Sequence, residues 1–460
     1  MRLVEGQGVR ASLRLIPLWL VVVSTVLVTA GPLLERTVRV TGTPGAYQLE
    51  VDGRPWYVQG VSFSLNEDPD DPTEPLTPAR LAVHFRRIRA LGANTIRRYG
   101  YTDDLPTILN AARDHGLMVM LGFWLDYDVD YLHDQRRLAV YRQRVQEWVL
   151  RFRRHPAVLM WVLGNETWGL LKKTYPRANE LFMQREAFYR FVNDLARLVK
   201  TLDPAHPVMV VDEHAPEGLG ASLAMFRRLV PAADVFGVNS YFEEDISHLH
   251  ATVMRAQIGR PYLVAEFGPP GYWLPHRVAD DLGQPVEPSD VVKARAYAAN
   301  WQQYVAAHRG WNLGGNAFTW KDKHQGSFTW FGLTDSRDRL KPAYWALREV
   351  WTGQAVPSER PMVAAVVLYK RWMRPEESFV VQTRLVPALD PTRYRYTYLI
   401  APVTMTHVTT QFTSDLPQVT LESPGTPGIY RVYVYVTTRD DRWVSTGSVT
   451  FGVYDVPRTP

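Results

Sequence analysis

Two short stretches place a carboxylic acid directly after an apolar run. Residues 158–163 (VLMWVL) lead into Gly164-Asn165-Glu166-Thr167-Trp168, and residues 262–265 (YLVA) lead into Glu266-Phe267-Gly268. Paired carboxyl groups flanking one bond are what glycosidic cleavage needs. One carboxyl must be held protonated to give a proton to the leaving oxygen. The other must be ionised to attack the anomeric carbon. An Asn-Glu pair, or a Glu after a strand, is common alone, so the weight lies in what positions the two together.

Eight apolar runs of strand length recur along the chain, at 56–63, 94–97, 117–123, 158–163, 208–211, 235–238, 262–267 and 317–320. Helical patterns separate them. Leu81, Phe85, Ile88 and Leu91 repeat at helical spacing between Thr77-Pro78 and Gly92. Leu105, Ile108, Leu109 and Ala112 do the same before Gly116. Further helices are expected over 132–154, 177–202, 219–229, 246–257, 289–308 and 341–351. Continuous apolar strands alternating with helices demand a parallel sheet covered on its faces. Eight such units close a (β/α)₈ barrel. No Gly-rich phosphate loop follows the first strand, which disfavours an open doubly wound sheet.

Reactive groups of such a barrel gather at the C-terminal ends of its strands. Glu166 and Glu266 fall at the mouths of the fourth and seventh strands, where they can face each other across the cleft. The barrel is expected over residues 36–355. Beyond it, alternating runs at 363–369, 378–385, 394–400, 430–437 and 444–454 are split by Pro, Gly and Asp clusters. They predict an immunoglobulin-like β-sandwich over 356–460. Its aromatics Tyr430, Tyr433 and Tyr435 alternate as core and face residues do, so support of the barrel fits better than glycan binding.

The chain has 460 residues, 46% hydrophobic and 22% charged, which excludes collagen-like, disordered and multi-span membrane classes. Its formal charge of +5 is spread out with no block of five basic residues, so no nucleic-acid partner is expected. There is no cysteine, which removes disulfides, thiolate metal sites and cysteine nucleophiles together. The 15 Trp and 23 Tyr offer flat rings suited to sugars, although such rings more often fill cores. Arg2, Arg10 and Arg14 precede the uncharged stretch Leu15 to Leu34. That pattern predicts export through residues 1–35, by a cleaved signal peptide or an uncleaved membrane anchor.

With these residues in view, the chain resembles clan A of the glycoside hydrolases, and most of all the catalytic barrel of glycoside hydrolase family 2. The stretches that carry the resemblance are Gly92-Ala-Asn-Thr-Ile-Arg97, Trp161-Val-Leu-Gly-Asn-Glu166, Gly237-Val-Asn-Ser-Tyr241, Tyr262-Leu-Val-Ala-Glu-Phe-Gly268 and Asn316-Ala-Phe-Thr-Trp320. They fall in order on strands two, four, six, seven and eight and cover about 300 residues. The resemblance implies Glu166 as general acid/base and Glu266 as nucleophile of a retaining β-glycosidase, with no cofactor. It implies Asn165 as partner of the sugar 2-hydroxyl, and Arg97 and Tyr241 as the groups that hold Glu266 ionised. It implies Trp320 as floor of the sugar site. Arg98 adjoins Arg97, and strand alternation turns one of the two arginines out of the lumen.

Trp124, Trp168 and Trp273 join the substrate candidates as aromatics on the loops after strands three, four and seven. Asp126, Tyr127, Asp212, Glu213, His214, Tyr272, His276, Lys321, Gln325 and Trp330 also sit on such loops. The acidic clusters Asp126-Asp128-Asp130 and Glu67–Asp71 read as solvated loops, since Tyr131 and Arg137 stand where a calcium loop needs Gly and Glu. Family 2 enzymes usually carry two β-domains ahead of the barrel, and only about fifteen residues separate the export segment from the first strand here. The sugar therefore cannot be taken from the family. Two alternatives stay open, a β-glucanosyltransferase on the same residues and an inactive carbohydrate-binding protein.

Overall fold

The structure is a computed structural model that describes residues 36–64, 76–100, 102–215, 218–356, 360, 362–388 and 390–454. The export segment and the Glu67–Asp71 cluster lie outside the described residues. A small antiparallel sheet comes first, formed by β1 (Val38–Thr41), β2 (Gln48–Val51) and β3 (Arg54–Pro55). The alternating units then follow. They run β4 (Val58–Ser62), α1 (Pro78–Leu91), β5 (Thr95–Arg98), α2 (Leu105–Asp114), β6 (Met118–Phe123), α3 (Gln135–Phe152) and β7 (Val158–Leu163). Two helices, α4 (Thr167–Thr174) and α5 (Ala178–Leu202), lead to β8 (Val208–Glu213), α6 (Leu219–Leu229), β9 (Val235–Asn239) and α7 (Glu243–Ala256). The set ends with β10 (Tyr262–Phe267), α8 (Pro275–Val278), α9 (Asp290–Ala299), β11 (Asn312–Ala317) and α10 (Pro342–Thr352). Strands β4 to β11 pair in parallel and close on themselves, giving the expected (β/α)₈ barrel.

Local chemistry explains the boundaries. Thr77 Oγ1 accepts from the Arg80 N–H at 3.2 Å, and Pro78 opens α1 with its φ already helical. Gly92 ends it at φ 97°, where a side chain would press 2.8 Å from Thr352. The buried face between them is Leu81, Phe85, Ile88 and Leu91. Inside the barrel, Met118, Met120, Leu159, Met209, Leu263 and Leu313 form one cluster with Val38, Leu49 and Val51. The leading sheet thus plugs the end of the lumen away from the strand C-termini.

The eighth strand differs from expectation. It spans Asn312–Ala317 and not 317–320. Gly314 and Gly315 give it no apolar signal, yet they let it approach β4: a Cβ on Gly314 would meet the Val58 carbonyl oxygen at 2.2 Å. The helix expected over 289–308 is α9 continued by a π-turn (Asn300–Val305) and a 3₁₀ turn (Ala306–His308). Helix α4, directly after Glu166, was not expected.

The C-terminal strands are β12 (Met362–Leu368), β13 (Trp372–Met373), β14 (Ser378–Val386), β15 (Tyr394–Pro402), β16 (Thr410–Ser414), β17 (Gln418–Glu422), β18 (Gly428–Thr438) and β19 (Val444–Val453). They make a sheet β12-β14-β17 facing a sheet β13-β19-β18-β15-β16. The sandwich core includes Val363, Phe379, Val381, Tyr396, Tyr398, Val432, Val434 and Phe451. Strand β16 left no sequence signal because its residues are exposed or half-exposed polar ones around Phe412. Buried polar contacts seat the sandwich on the barrel. Asp290, which opens α9, accepts from the Thr446 N–H at 2.6 Å, and Glu287 accepts from Ser448 Oγ at 2.6 Å. Phe328 stacks on Tyr433 with centroids 4.8 Å apart.

Candidate active site

A cleft of about 660 Å³ opens at the C-terminal ends of the barrel strands, and both glutamates line it. Glu266 lies one residue before the end of β10 and is 4% exposed. A buried carboxylate must be compensated by partners, and three donors supply this. Arg97 Nη1 lies 2.9 Å and Tyr99 Oη 2.8 Å from Glu266 Oε1, while Tyr241 Oη donates to Oε2. The Arg97–Glu266 pair is an ion pair shielded from solvent, with the arginine side chain 1% exposed.

Strand alternation accounts for this grouping. Arg97 and Tyr99 are two residues apart on β5 and its end, so both turn into the lumen. Arg98 turns outward, where it donates to the Phe63 carbonyl at 2.9 Å. Asn239 and Tyr241 repeat the pattern at the end of β9. Asn239 Nδ2 donates to Glu166 Oε1 at 2.8 Å and to Asn165 Oδ1 at 3.1 Å. Arg97 Nη2 reaches Asn165 Oδ1 at 2.8 Å. Asn165 therefore stands between Arg97 and Asn239, its orientation fixed by both.

Glu166 sits just past β7 in the left-handed conformation, φ 58°, and its N–H donates to the Val211 carbonyl. Such a backbone costs about 1–3 kcal/mol for a side chain like this one and recurs at functional sites. Burial, and then the facing charge of Glu266, push the Glu166 carboxyl up to a pKa of about 8. Its place at the start of α4 favours the ionised form, as does the Asn239 donor, but burial and Glu266 prevail. The cleft thus holds one carboxylate surrounded by donors and one carboxyl kept neutral at pH 7. That division of labour suits acid-assisted displacement at one carbon.

Of the aromatic candidates, the structure brings Trp124 and Trp273 to the cleft, 46% and 43% exposed. Trp273 meets Tyr241 edge-on at 4.7 Å. It does not bring Trp320 or Trp168 there. Trp320 is fully buried against the helical layer, its Nε1 donating to His84 Nδ1 at 3.0 Å, because it lies past the true end of β11. Phe318, two residues earlier, lines the cleft instead. Trp168 is 3% exposed, with Arg185 stacked on its ring at 3.7 Å and Met225 Sδ within 3.4 Å of its Nε1.

The other loop residues divide. Glu213, His214, Tyr272 and Gln325 line the cleft. Asp212 is buried beneath it, accepting from Ser222 Oγ and the Gly169 N–H. Asp126 bonds Tyr141, Lys321 pairs with Asp338, and Trp330 donates to the Pro270 carbonyl. Tyr127, seen beneath Lys173, and the exposed His276 do not line it. Tyr99, Asn239, Phe318 and Lys323 are cleft residues that no sequence reading had assigned a role.

A model of the family described as glycosyl hydrolases family 2, TIM barrel domain, matches residues 46–353. The β-glucuronidase of Sus scrofa is 29% identical over 254 residues, which make up 52% of this chain and 33% of that protein. The β-glucuronidase of Paenibacillus borealis is 27% identical over 256 residues, 51% of this chain and 38% of that protein. The chain therefore spans about a third of the length of these curated relatives. Among solved structures, Bacteroides uniformis β-glucuronidase 2 covalently bound to cyclophellitol-6-carboxylate aziridine superposes with a TM-score of 0.54 at 15% identity. That match covers 92% of this chain and 48% of the other, and it is a likeness of fold.

Proposed function

The chain belongs to glycoside hydrolase family 2, and from that premise we propose that it is a retaining β-glycosidase. The observation that carries the proposal is the opposite treatment of two carboxyl groups in one cleft. Glu266 is bonded by Arg97, Tyr99 and Tyr241, whereas Glu166 is held protonated up to about pH 8. A Glu266 oxygen attacks the anomeric carbon, the bond from that carbon to the leaving oxygen breaks, and the Glu166 proton passes to that oxygen. Forming the ester removes the charge of Glu266, so one of the forces raising Glu166 disappears. Glu166 then takes a proton from water as the water oxygen attacks the same carbon. The ester bond breaks, Glu266 leaves as carboxylate, and both groups return to their starting states. Asn165, fixed between Arg97 and Asn239, is placed to meet the sugar 2-hydroxyl. Trp124 and Trp273 offer faces on which sugar rings can stack.

The curated relatives bear the name β-glucuronidase, so a β-glucuronide is the first donor to offer. The test is proton NMR of the sugar released from p-nitrophenyl β-D-glucuronide, with the matching glucoside, galactoside and mannoside beside it. First appearance of the β-anomer supports double displacement, and first appearance of the α-anomer contradicts it. Oligosaccharide products longer than the donor would move the reading to the β-glucanosyltransferase alternative. We propose further that the barrel acts after export, a reading that rests on Arg2, Arg10, Arg14 and the uncharged stretch 15–34. Fractionation of cells expressing the full chain tests this, and activity confined to the cytoplasm contradicts it.

A further inference from the structure

The two oxygens of Glu266 are not equivalent. Oε1 receives two donors, Arg97 Nη1 at 2.9 Å and Tyr99 Oη at 2.8 Å, whereas Oε2 receives only Tyr241 Oη. A carboxylate oxygen has two in-plane lone pairs. Those of Oε1 are both engaged, while Oε2 keeps one for the cleft. Arg97 cannot readily turn away, because Nη1 also donates to the Ala265 carbonyl at 2.9 Å and Nη2 to Asn165. Tyr99 is fixed as well. Its hydroxyl lies 2.9 Å from Ser62 Oγ, and the Arg97 guanidinium sits 4.4 Å over its ring. Ser62 is fully buried, and its rotatable hydroxyl can donate to Tyr99 while Tyr99 donates to Glu266.

We propose that Tyr99 is a positioning residue that, with Arg97, holds Glu266 Oε1 throughout the reaction and thereby makes Oε2 the attacking atom. This rests on the glycosidase reading and extends it to a residue outside the set that the family resemblance supplied. In the first step the new bond joins Oε2 to the anomeric carbon. The bond to the leaving oxygen breaks, and the Glu166 proton goes to that oxygen. Oε1 becomes the ester carbonyl oxygen, still accepting from Arg97 and Tyr99. Tyr241 loses a strong acceptor, since Oε2 is now the bridging ester oxygen. In the second step the electron pair returns to Oε2 as the ester bond breaks. Tyr99 and Arg97 thus hold one oxygen in place while the other reacts.

The test follows labelling by 2-deoxy-2-fluoro-β-D-glucuronyl fluoride, and by the matching glucosyl, galactosyl and mannosyl fluorides, with intact mass as readout. Labelled wild-type protein establishes the premise; its absence with every donor overturns the glycosidase reading and this inference with it. Given labelling, Tyr99→Phe is expected to react about 10- to 100-fold more slowly, the size expected for a lost hydrogen bond to a charged group. Its half-saturating donor concentration should stay near that of wild type, because the Tyr99 hydroxyl is spent on Glu266 and Ser62. A merely structural role would lower thermal stability or raise the half-saturating donor concentration and leave the maximal labelling rate close to that of wild type. That outcome overturns the proposal. A crystal structure of the labelled wild-type protein decides it without any variant. The ester carbonyl oxygen is expected within hydrogen-bonding distance of Tyr99 and Arg97, with the bridging oxygen toward Tyr241. The reverse arrangement overturns it.

Discussion

Glu266 and Glu166 line one cleft, and the charge of the first helps to hold the proton on the second. After burial, the facing Glu266 carboxylate is the next force that lifts Glu166 to a pKa of about 8. Glu266 meanwhile accepts from Arg97 and Tyr99 at Oε1 and from Tyr241 at Oε2. A proton donor and an electron-pair donor therefore coexist at neutral pH in one cleft, and neutralising Glu266 removes one of the forces that raise Glu166.

The proposed mechanism needs Glu166 protonated in the first step, so kcat/KM should fall as pH rises through about 8. Glu166→Gln should lose this basic limb while binding donor sugars as wild type does. A wild-type basic limb that persists unchanged in Glu166→Gln would contradict the assignment of the acid.

The same group should leave a mark on stability. Its pKa is higher folded than the usual 4.5, so the unfolded chain binds fewer protons between pH 4.5 and about 8. Stability from this group is complete below 4.5 and is lost as pH rises through 8. Glu166→Gln removes the penalty, so its Tm should exceed that of wild type by more at pH 9 than at pH 5. Calorimetry at both pH values checks the sign, and an equal difference at the two would count against a raised pKa.

The four tryptophans should separate into two pairs. Trp124→Ala and Trp273→Ala remove exposed faces in the cleft and should raise KM several-fold with small changes in Tm. Trp320→Phe strands the buried His84 ring nitrogen and should cost about 1–3 kcal/mol of stability. Trp168→Phe should likewise act on Tm, through lost packing on Arg185 and Met225. Steady-state kinetics and melting curves on all four test this division.

What the sequence made legible follows from where side chains carry signal. Strand β7 and the Asn165-Glu166 pair stood out because an unbroken apolar run ends abruptly in polar residues. Helix α1 stood out because its Thr77 cap, Pro78 and Gly92 are all chemically marked. Strand β11 hid because Gly314 and Gly315 have no side chains, and the apolar run that replaced it in the reading carried Trp320 out of place. Helix α4 is only two turns long and offers too few residues to show a period. Tyr99 and Asn239 had a signal that went unused. Each lies two residues along the strand from a residue already assigned to the lumen, Arg97 and Tyr241.

The seating of the sandwich on the barrel should weaken in acid. Burial disfavours the Glu287 carboxylate, but Lys293 and Arg431 outweigh it and hold its pKa down at about 2. Folded below its usual 4.5, this group contributes stability above that pH and loses it as pH falls toward 2. Glu287→Gln should therefore cost about 3 kcal/mol at pH 7, the scale of breaking a buried ion pair. The difference should shrink steadily below pH 4.5. Chemical unfolding of both proteins from pH 7 to pH 3 measures it, and a constant difference would show that the charge of Glu287 is not what holds the interface.

A covalent bond between Glu266 and sugar is the most direct consequence of the proposed mechanism. The purified protein is incubated with 2-deoxy-2-fluoro-β-D-glucuronyl fluoride and its glucosyl, galactosyl and mannosyl counterparts, weighed intact, digested and mapped. The expected result is one added sugar on the peptide that carries Glu266, absent from Glu266→Gln. An adduct on a different residue would contradict the account, as would no adduct from any donor while Glu266→Gln still binds glycan as tightly as wild type.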